Sequence, residues 1–227
     1  MKVFIGTWCG DTKYLVPKFI KTWEQMGLDL DQLSLIALHN EGDLYKQGPD
    51  GETQGLNIFR VPTFIFEKEG QEIGRIVERT VFSLEEDMLA IANGQKYKPR
   101  YNGAQLMYEY LSNANPDSLK EKSLLNEAYR LVRREVSSSS ELNALGYVYK
   151  AQNALDKALF TLKINRYIYP YNPNVRDSYG EILMATGSYE AALEEYYEVI
   201  RLKGKDENAS SYISKLYDLI RKEQNEG

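Results

Sequence analysis

Cysteine and histidine are nearly missing from this chain of 227 residues, which holds one of each, Cys9 and His39. One cysteine excludes an intrachain disulfide, and two such residues lack the ligand clustering of a zinc site, so we expect no bound metal. Any thiol chemistry must run through Cys9 without a second cysteine from the same chain. We expect His39, at the end of a predicted strand, to be a solvated side chain rather than a base.

A basic excess and a long apolar run are also missing. The formal net charge is −5, with both signs mixed along the chain, which argues against a nucleic-acid-binding surface. No apolar stretch approaches the roughly 20 residues of a membrane span, and the N-terminus lacks the apolar region of a secretory signal. We therefore expect a cytoplasmic protein that binds neither nucleic acid nor membrane. The first predicted strand begins almost at Met1, which is compatible with removal of a leader from the given sequence.

The first hundred residues carry signals in the order strand, helix, strand, loop, strand, strand, helix. Two strands joined by a helix should be parallel, and a Gly-containing turn at residues 67–70 predicts an antiparallel hairpin. We therefore predict a four-stranded mixed sheet, in the order βαβ-ββα, with helices on both faces. Residues 33–38 are almost wholly apolar and predict an interior strand. The Gly-rich loop at 41–57 is predicted to hold one short helix near residues 53–56.

Cys9 lies between the first predicted strand and the first predicted helix, in the stretch Thr7-Trp8-Cys9-Gly10-Asp11-Thr12-Lys13. Unpaired backbone N–H groups and the helix dipole favour a thiolate at such a position. The negative charge of Asp11, two residues away, opposes ionisation. The sequence leaves the balance of these two effects open.

Four features of residues 1–96 resemble the thioredoxin superfamily in its minimal form. Trp8-Cys9-Gly10 opens a helix, Lys13 and Pro17 follow the cysteine by four and eight residues, and Val61-Pro62-Thr63 precedes the hairpin. The resemblance implies an α/β thioredoxin-like domain over residues 1–96, with a cis-proline at Pro62.

Two departures from that family bear on the chemistry. The position of the family's second cysteine is occupied by Thr12, and the position of its buried carboxylate by Val3. Both groups that release a mixed disulfide are thus missing together. The resemblance therefore implies a monothiol site, at which an external thiol such as glutathione resolves the product and no resident cofactor is needed.

The resemblance also implies roles for the residues around the sulfur. Cys9 is the expected nucleophile, Thr12 a hydrogen-bond donor to its thiolate, and Trp8 an apolar wall. Pro62 is expected to present the backbone of its neighbours to an extended partner peptide. The substrate-binding positions predicted in this half are therefore Val61 and Thr63.

After a predicted linker at residues 97–103, every apolar pattern is helical. Small residues recur with a period of 34, at Gly146 and Gly180 and at Ala158 and Ala192. This period resembles two tetratricopeptide (TPR) repeats, at residues 139–172 and 173–206. A helical pair at 104–136 is predicted to be a degenerate repeat, and residues 207–227 a capping helix.

The concave face of such repeats predicts a second binding surface, for a protein or peptide of mixed charge. Its candidate residues are Tyr147, Lys150, Asp177 and Glu181. Two functions remain open: a monothiol oxidoreductase whose repeats select protein clients, or a redox-inactive interaction protein in which both halves bind partners. The client, the external reductant and the oligomeric state are left open by the sequence.

Overall fold

The computed structural model describes residues 1–226, without the side chains of Pro116 and Glu226. Gly227, the last residue of the predicted capping segment, lies outside the described residues. The chain divides into two compact units, Met1–Asn102 (unit 1) and Gly103–Gly227 (unit 2). Among the helices of the described residues, none combines the length and the apolar character that crossing a membrane requires.

Unit 1 is built on a four-stranded mixed sheet with the order β2-β1-β3-β4. Strands β1 and β2 are parallel, whereas β3 runs antiparallel to both β1 and β4, so the predicted mixed sheet is confirmed. Its elements in chain order are β1 (Lys2–Ile5), α1 (Gly10–Gln25), β2 (Ser34–Ala37), β3 (Thr63–Lys68), β4 (Gln71–Val77) and α2 (Leu84–Ala92).

Local sequence signals set the ends of these elements. The β3–β4 hairpin closes through Glu69 and Gly70, both with positive φ, as the favoured two-residue turns require. Helix α2 begins with the predicted capping box, in which Ser83 and Glu86 each bond to the other's backbone N–H. Helix α1 contains Pro17 and is followed by Gly27 at φ 73°.

The predicted placement of helices on both faces of the sheet is wrong. Helices α1 and α2 pack together on one face, against side chains that include Val3 and Phe64. The opposite face presents Phe4 and Ile65, which are covered by residues of the long loop between β2 and β3: Leu38, Ile58 and Val61. The loop thus supplies apolar side chains where we expected a helix.

Two further expectations for this region need correction. Strand β2 lies at an edge of the sheet, and Leu35 is 48% exposed, although its apolar run predicted an interior strand. Residues 53–56 form a turn, and the short helical element of the loop is a one-turn 3-10 helix at Gly42–Leu44. An apolar run reports hydrophobicity but not which strands flank it, so it did not distinguish edge from centre.

Unit 2 is helical, as predicted for the second half. Its helices are α3 (Asn102–Asn113), α4 (Lys122–Val132), α5 (Ser139–Ala151), α6 (Leu155–Ile168), α7 (Pro173–Ala185), α8 (Tyr189–Lys203) and α9 (Glu207–Glu226). The first residues of α5 and α7 are 34 positions apart, as are those of α6 and α8. The predicted period is therefore present in the helices themselves.

Close helix crossings account for the small residues in this period. A Cβ added at Gly146 would lie 2.7 Å from Cγ of Leu162, and one at Gly180 would lie 3.1 Å from the ring of Tyr196. Each glycine lets one helix pack closely against the next, and the space is tighter at Gly146 than at Gly180. Helix α9 continues the packing, because Tyr212 stacks on Tyr196 with ring centroids 4.9 Å apart.

Candidate functional site

Cys9 is the N-cap residue of α1, with extended backbone angles of φ −80° and ψ 128°. Its N–H donates to the carbonyl of Gly6, 2.9 Å away, and its carbonyl accepts from the N–H of Lys13 at 3.2 Å. The chain therefore leaves β1, turns once and starts the helix at the cysteine. This position places the thiol at the positive end of the helix dipole.

The sulfur contacts the segment that leads into β3. Sγ of Cys9 donates to the carbonyl oxygen of Val61 at 3.3 Å, and the Val61–Pro62 peptide bond is cis. The Cys9 side chain is half-buried and free of a disulfide. The structure thus brings together Cys9, Val61 and Pro62, three of the residues singled out in the sequence.

Trp8 lies over the turn that precedes the cysteine and is 36% exposed. A Cβ added at Gly6 would lie 2.7 Å from its indole ring and 2.9 Å from Cγ2 of Val61. The indole therefore packs where any other residue at position 6 would place its side chain. Gly6 was missed in the sequence, although a glycine directly after a strand and before Trp8-Cys9 signals this close approach.

Thr12 and Thr63 have structural partners that we did not predict. The Thr12 hydroxyl is buried and accepts from the N–H of Gly6 at 3.3 Å, which gives it a role in the turn; its predicted donation to the thiolate stays a prediction. Thr63 lies inside the sheet, opposite Phe4 on one side and Val77 on the other. Because both of its neighbours are strands, Thr63 offers no free edge to a partner peptide.

Lys46 is the main residue of the candidate site around Cys9 that we did not predict from the sequence. Its side chain is only 8% exposed, and Nζ donates to the carbonyl of Phe59 at 2.6 Å. Sγ of Cys9 donates to the carbonyl of Val61, two residues after Phe59. The Lys46 amine and the Cys9 sulfur therefore both donate hydrogen bonds to the segment 59–61. A lysine in a Gly-rich polar loop has the sequence signature of a solvated residue, which is why it was overlooked.

The surroundings of Lys46 shift its protonation toward neutral pH. Burial, and to a smaller extent the nearby Arg60 cation, lower the pKa of the Lys46 ammonium from 10.5 to about 8. The negative charges of Glu78 and of an ionised Cys9 act in the opposite direction. A buried amine that titrates near neutrality therefore shares this site with the thiol.

An ion pair between Arg60 and Glu78 lies near Lys46. Arg60 and Glu78 are joined at 2.9 Å, the Tyr101 hydroxyl donates to Glu78, and the Arg60 guanidinium lies 4.5 Å from the centre of the Tyr101 ring. Burial and the Glu78 carboxylate raise the pKa of Tyr101 to about 12, so the phenol keeps its proton. Tyr101 belongs to the predicted linker and is bound here to unit 1.

Asp11, whose charge we expected to oppose ionisation of the thiol, is itself paired. Its Oδ1 lies 3.2 Å from Nε of Arg79. The cation offsets part of the carboxylate's field at the sulfur. Solvent screens this exposed pair, so the offset is partial.

The four candidate residues on unit 2 lie on α5 and α7, and three of them bond to one another. The Tyr147 hydroxyl donates to Glu181 at 2.7 Å, and Lys150 forms an ion pair with the same carboxylate. Burial raises the pKa of Tyr147, as does the charge of Glu181. Burial and Glu181 likewise raise the pKa of Asp177. These groups therefore hold two helices together at the surface where we expected a partner.

The described residues contain no cluster of His, Cys, Asp and Glu side chains that would hold a metal ion. Comparison with models of known protein families gave no match, and no curated protein matched the sequence.

Proposed function

We propose that this protein is a monothiol thiol–disulfide oxidoreductase with a thioredoxin-like N-terminal domain. The nucleophile is Cys9. One observation carries the proposal: the sulfur is half-buried at the start of α1 and 3.3 Å from the Val61 carbonyl, with the buried Lys46 amine on the same segment. A perturbed titratable group beside a potential nucleophile is more frequent at functional sites than elsewhere.

The reaction begins with the Cys9 thiolate. It attacks one sulfur of a client disulfide, the client's S–S bond breaks, and the departing sulfur leaves as a thiolate that takes a proton from water. Cys9 and the client are then joined by a mixed disulfide. Two molecules of an external thiol such as glutathione complete the cycle, because the first displaces the client and the second frees Cys9. The client gains two electrons, and the external thiol is converted to its disulfide.

We propose distinct tasks for the neighbouring groups. The N-terminus of α1 and the ammonium of Lys46 present positive charge to the segments that hold the sulfur. Trp8 covers one side of the turn, and Thr12 holds that turn in place through Gly6. The Val61 carbonyl is the neighbour against which an extended client would lie, once the thiolate no longer donates to it.

For unit 2 we propose TPR-like repeats that bind a protein client. Support comes from the offset of 34 residues between α5 and α7, and between α6 and α8, together with the matching close approaches at Gly146 and Gly180. The proposed contact surface is the face carrying Tyr147 and Glu181. Loss of client binding in the double variant Tyr147→Ala/Glu181→Ala, with helicity retained, is the expected result, and unchanged binding rejects this face.

The oxidoreductase proposal is tested by glutathione-dependent reduction of a protein disulfide such as that of insulin. Wild type is expected to accelerate the reaction in proportion to its concentration, and Cys9→Ser to show the uncatalysed rate. Because the chain has one cysteine, this single change removes all thiol chemistry. Equal rates for the two proteins would leave the alternative, a redox-inactive protein in which both halves bind partners.

A further inference from the structure

Unit 1 contains a cavity of about 350 Å³ whose walls include Asp11 and Glu78. Asp11 follows the cysteine by two residues in α1. The N–H of Glu78 donates to the carbonyl of Pro62 at 2.7 Å, next to the carbonyl that accepts from the sulfur. The cavity is therefore lined by residues that adjoin both segments around the thiol, the start of α1 and the Val61–Pro62 segment.

Two arginines line this cavity, and both are held by their Nε atoms. Arg79 donates through Nε to Asp11, and Arg100 donates through Nε to the Thr80 carbonyl at 2.6 Å. In the part of the chain that the structure describes, their terminal N–H groups have no partner within the protein. The acidic Glu78 in the wall is already bonded to Arg60. The cavity therefore offers donors in the fork arrangement that a carboxylate accepts.

Two exposed aromatic side chains, Tyr14 and Phe82, form part of the remaining wall. Phe82 is 72% exposed and Tyr14 is 65% exposed, the highest exposures among the large apolar side chains of unit 1. The ammonium of Lys18 lies 3.5 Å from the centre of the Tyr14 ring and adds positive charge to this rim. Exposed rings beside anchored cations suit a ligand that combines an apolar group with a negative charge.

We propose that this cavity selects client disulfides flanked by a peptide segment that carries an acidic and an apolar side chain. The inference rests on the proposed thiol–disulfide exchange at Cys9 and adds its substrate class. The carboxylate of the client binds Arg79 and Arg100, while its apolar side chain packs on Phe82 and Tyr14. Binding of the flanking peptide in this cavity raises the rate of exchange for disulfides that carry such a segment and leaves the rate for other disulfides unchanged.

Two aromatic disulfides separate charge recognition from thiol reactivity. 5,5′-Dithiobis(2-nitrobenzoate) carries a carboxylate on each ring, and 4,4′-dithiodipyridine carries none. With either reagent the Cys9 thiolate attacks one sulfur, the S–S bond breaks, and one aromatic thiolate leaves as Cys9 becomes a mixed disulfide. The double variant Arg79→Gln/Arg100→Gln should lose at least about threefold more rate with the first reagent than with the second, because the freed Asp11 affects both reagents alike.

Matched variants control for the general loss of positive charge and for the freed Asp11. Lys21→Gln/Lys68→Gln removes the same charge at exposed positions away from the cavity and is expected to leave both rates unchanged. Arg100→Gln alone keeps the Arg79–Asp11 pair and is expected to give part of the selective loss. A rate ratio between the two reagents that is the same in all these proteins would overturn the proposal.

Two further rate measurements distinguish failure of this inference from failure of the proposed function. Glutathione disulfide carries carboxylates but no apolar group, so Phe82→Ala is expected to slow it less than the nitrobenzoate reagent. An equal loss for both would overturn the assignment to an acidic and apolar peptide. If wild-type Cys9 reacts with both aromatic reagents no faster than a peptide of residues 7–13, the proposed function fails, whatever the ratio between reagents.

Discussion

The two units satisfy most of their buried charges in the same way and differ at one residue, Lys46. In unit 2 the fully buried Glu141 accepts from two backbone N–H groups and one hydroxyl, and in unit 1 the fully buried Asp87 does the same. The buried Lys46 ammonium of unit 1 instead bonds to a backbone carbonyl. Paired charges serve the packing of helices, whereas a buried amine with a depressed pKa is destabilising as an ion. Lys46 is therefore the buried charge whose substitution we expect to matter for the proposed chemistry of unit 1.

Gly146→Val is expected to have the largest effect on stability. The new side chain would overlap Leu162, where even a Cβ lies at 2.7 Å, and overpacking of this kind costs about 2–3 kcal/mol. Urea unfolding followed by circular dichroism should show the loss in a helical transition. Gly180→Ala is the control, since its Cβ would be 3.1 Å from a ring and the gain in helix propensity offsets the crowding. An unchanged transition for Gly146→Val would break the packing account of unit 2.

Lys46→Met tests the buried amine through the pH dependence of stability. The pKa of Lys46 is lowered from 10.5 to about 8 on folding, so the unfolded chain binds more protons between these values. The free energy of unfolding of the wild type, minus that of Lys46→Met, should therefore rise by about 2–3 kcal/mol from pH 7 to pH 10. Urea midpoints of both proteins across this range check the sign. Parallel curves would show that Lys46 is not a buried ammonium.

The same variant should slow the reaction of Cys9. Removing a cation that acts on the same segment as the sulfur is expected to reduce the rate with an uncharged disulfide about fivefold at pH 7. Lys46→Arg, which keeps the charge, should retain more of the rate if the variant folds. A rate in Lys46→Met equal to that of wild type would remove Lys46 from the site.

Gly6→Ala is expected to have an intermediate effect, confined to unit 1. The added Cβ displaces Trp8 or Val61, at a cost of about 1–2 kcal/mol, and the reaction of Cys9 slows because its Val61 partner shifts. Gly10→Ala is the matched control, because a Cβ there meets nothing within 4 Å. Similar reactivity of the two variants would show that the Trp8 wall does not shape the site.

Lys150→Met is the smallest expected change and repeats the Lys46 substitution in unit 2. The Lys150–Glu181 pair is partly exposed, so its loss should cost about 0.5 kcal/mol or less. No rise in relative stability between pH 7 and pH 10 is expected here. A pH effect at Lys150 as large as that at Lys46 would erase the contrast between the units.

The features that the sequence predicted well are those set by neighbouring residues. The Glu69–Gly70 turn, the Ser83 capping box and the spacing between Gly146 and Gly180 each depend on short-range geometry or on a period in one chain segment. The mixed sheet was predictable because two strands joined by a helix pair in parallel, whereas two strands joined by a tight turn pair antiparallel. Cys9 stood out because a lone cysteine at a strand–helix junction is unusual in composition and place.

The features that were missed depend on long-range packing. The buried Lys46 ammonium donates to the backbone carbonyl of Phe59, 13 residues later, and no local sequence pattern predicts that contact. Thr63 is flanked by two strands, which becomes visible only when the strand order is known. The second face of the sheet is covered by a loop because Leu38, Ile58 and Val61 converge there from separate turns.

The most direct test of the central claim compares Cys9 in the folded protein with Cys9 in a peptide of residues 7–13. Both contain the same single thiol and the same neighbours in sequence, so only the fold differs. The second-order rate constant with glutathione disulfide at pH 7 is the measured quantity. We predict a value at least about tenfold higher for the folded protein. A rate equal to or lower than that of the peptide would contradict the assignment of Cys9 as a nucleophile.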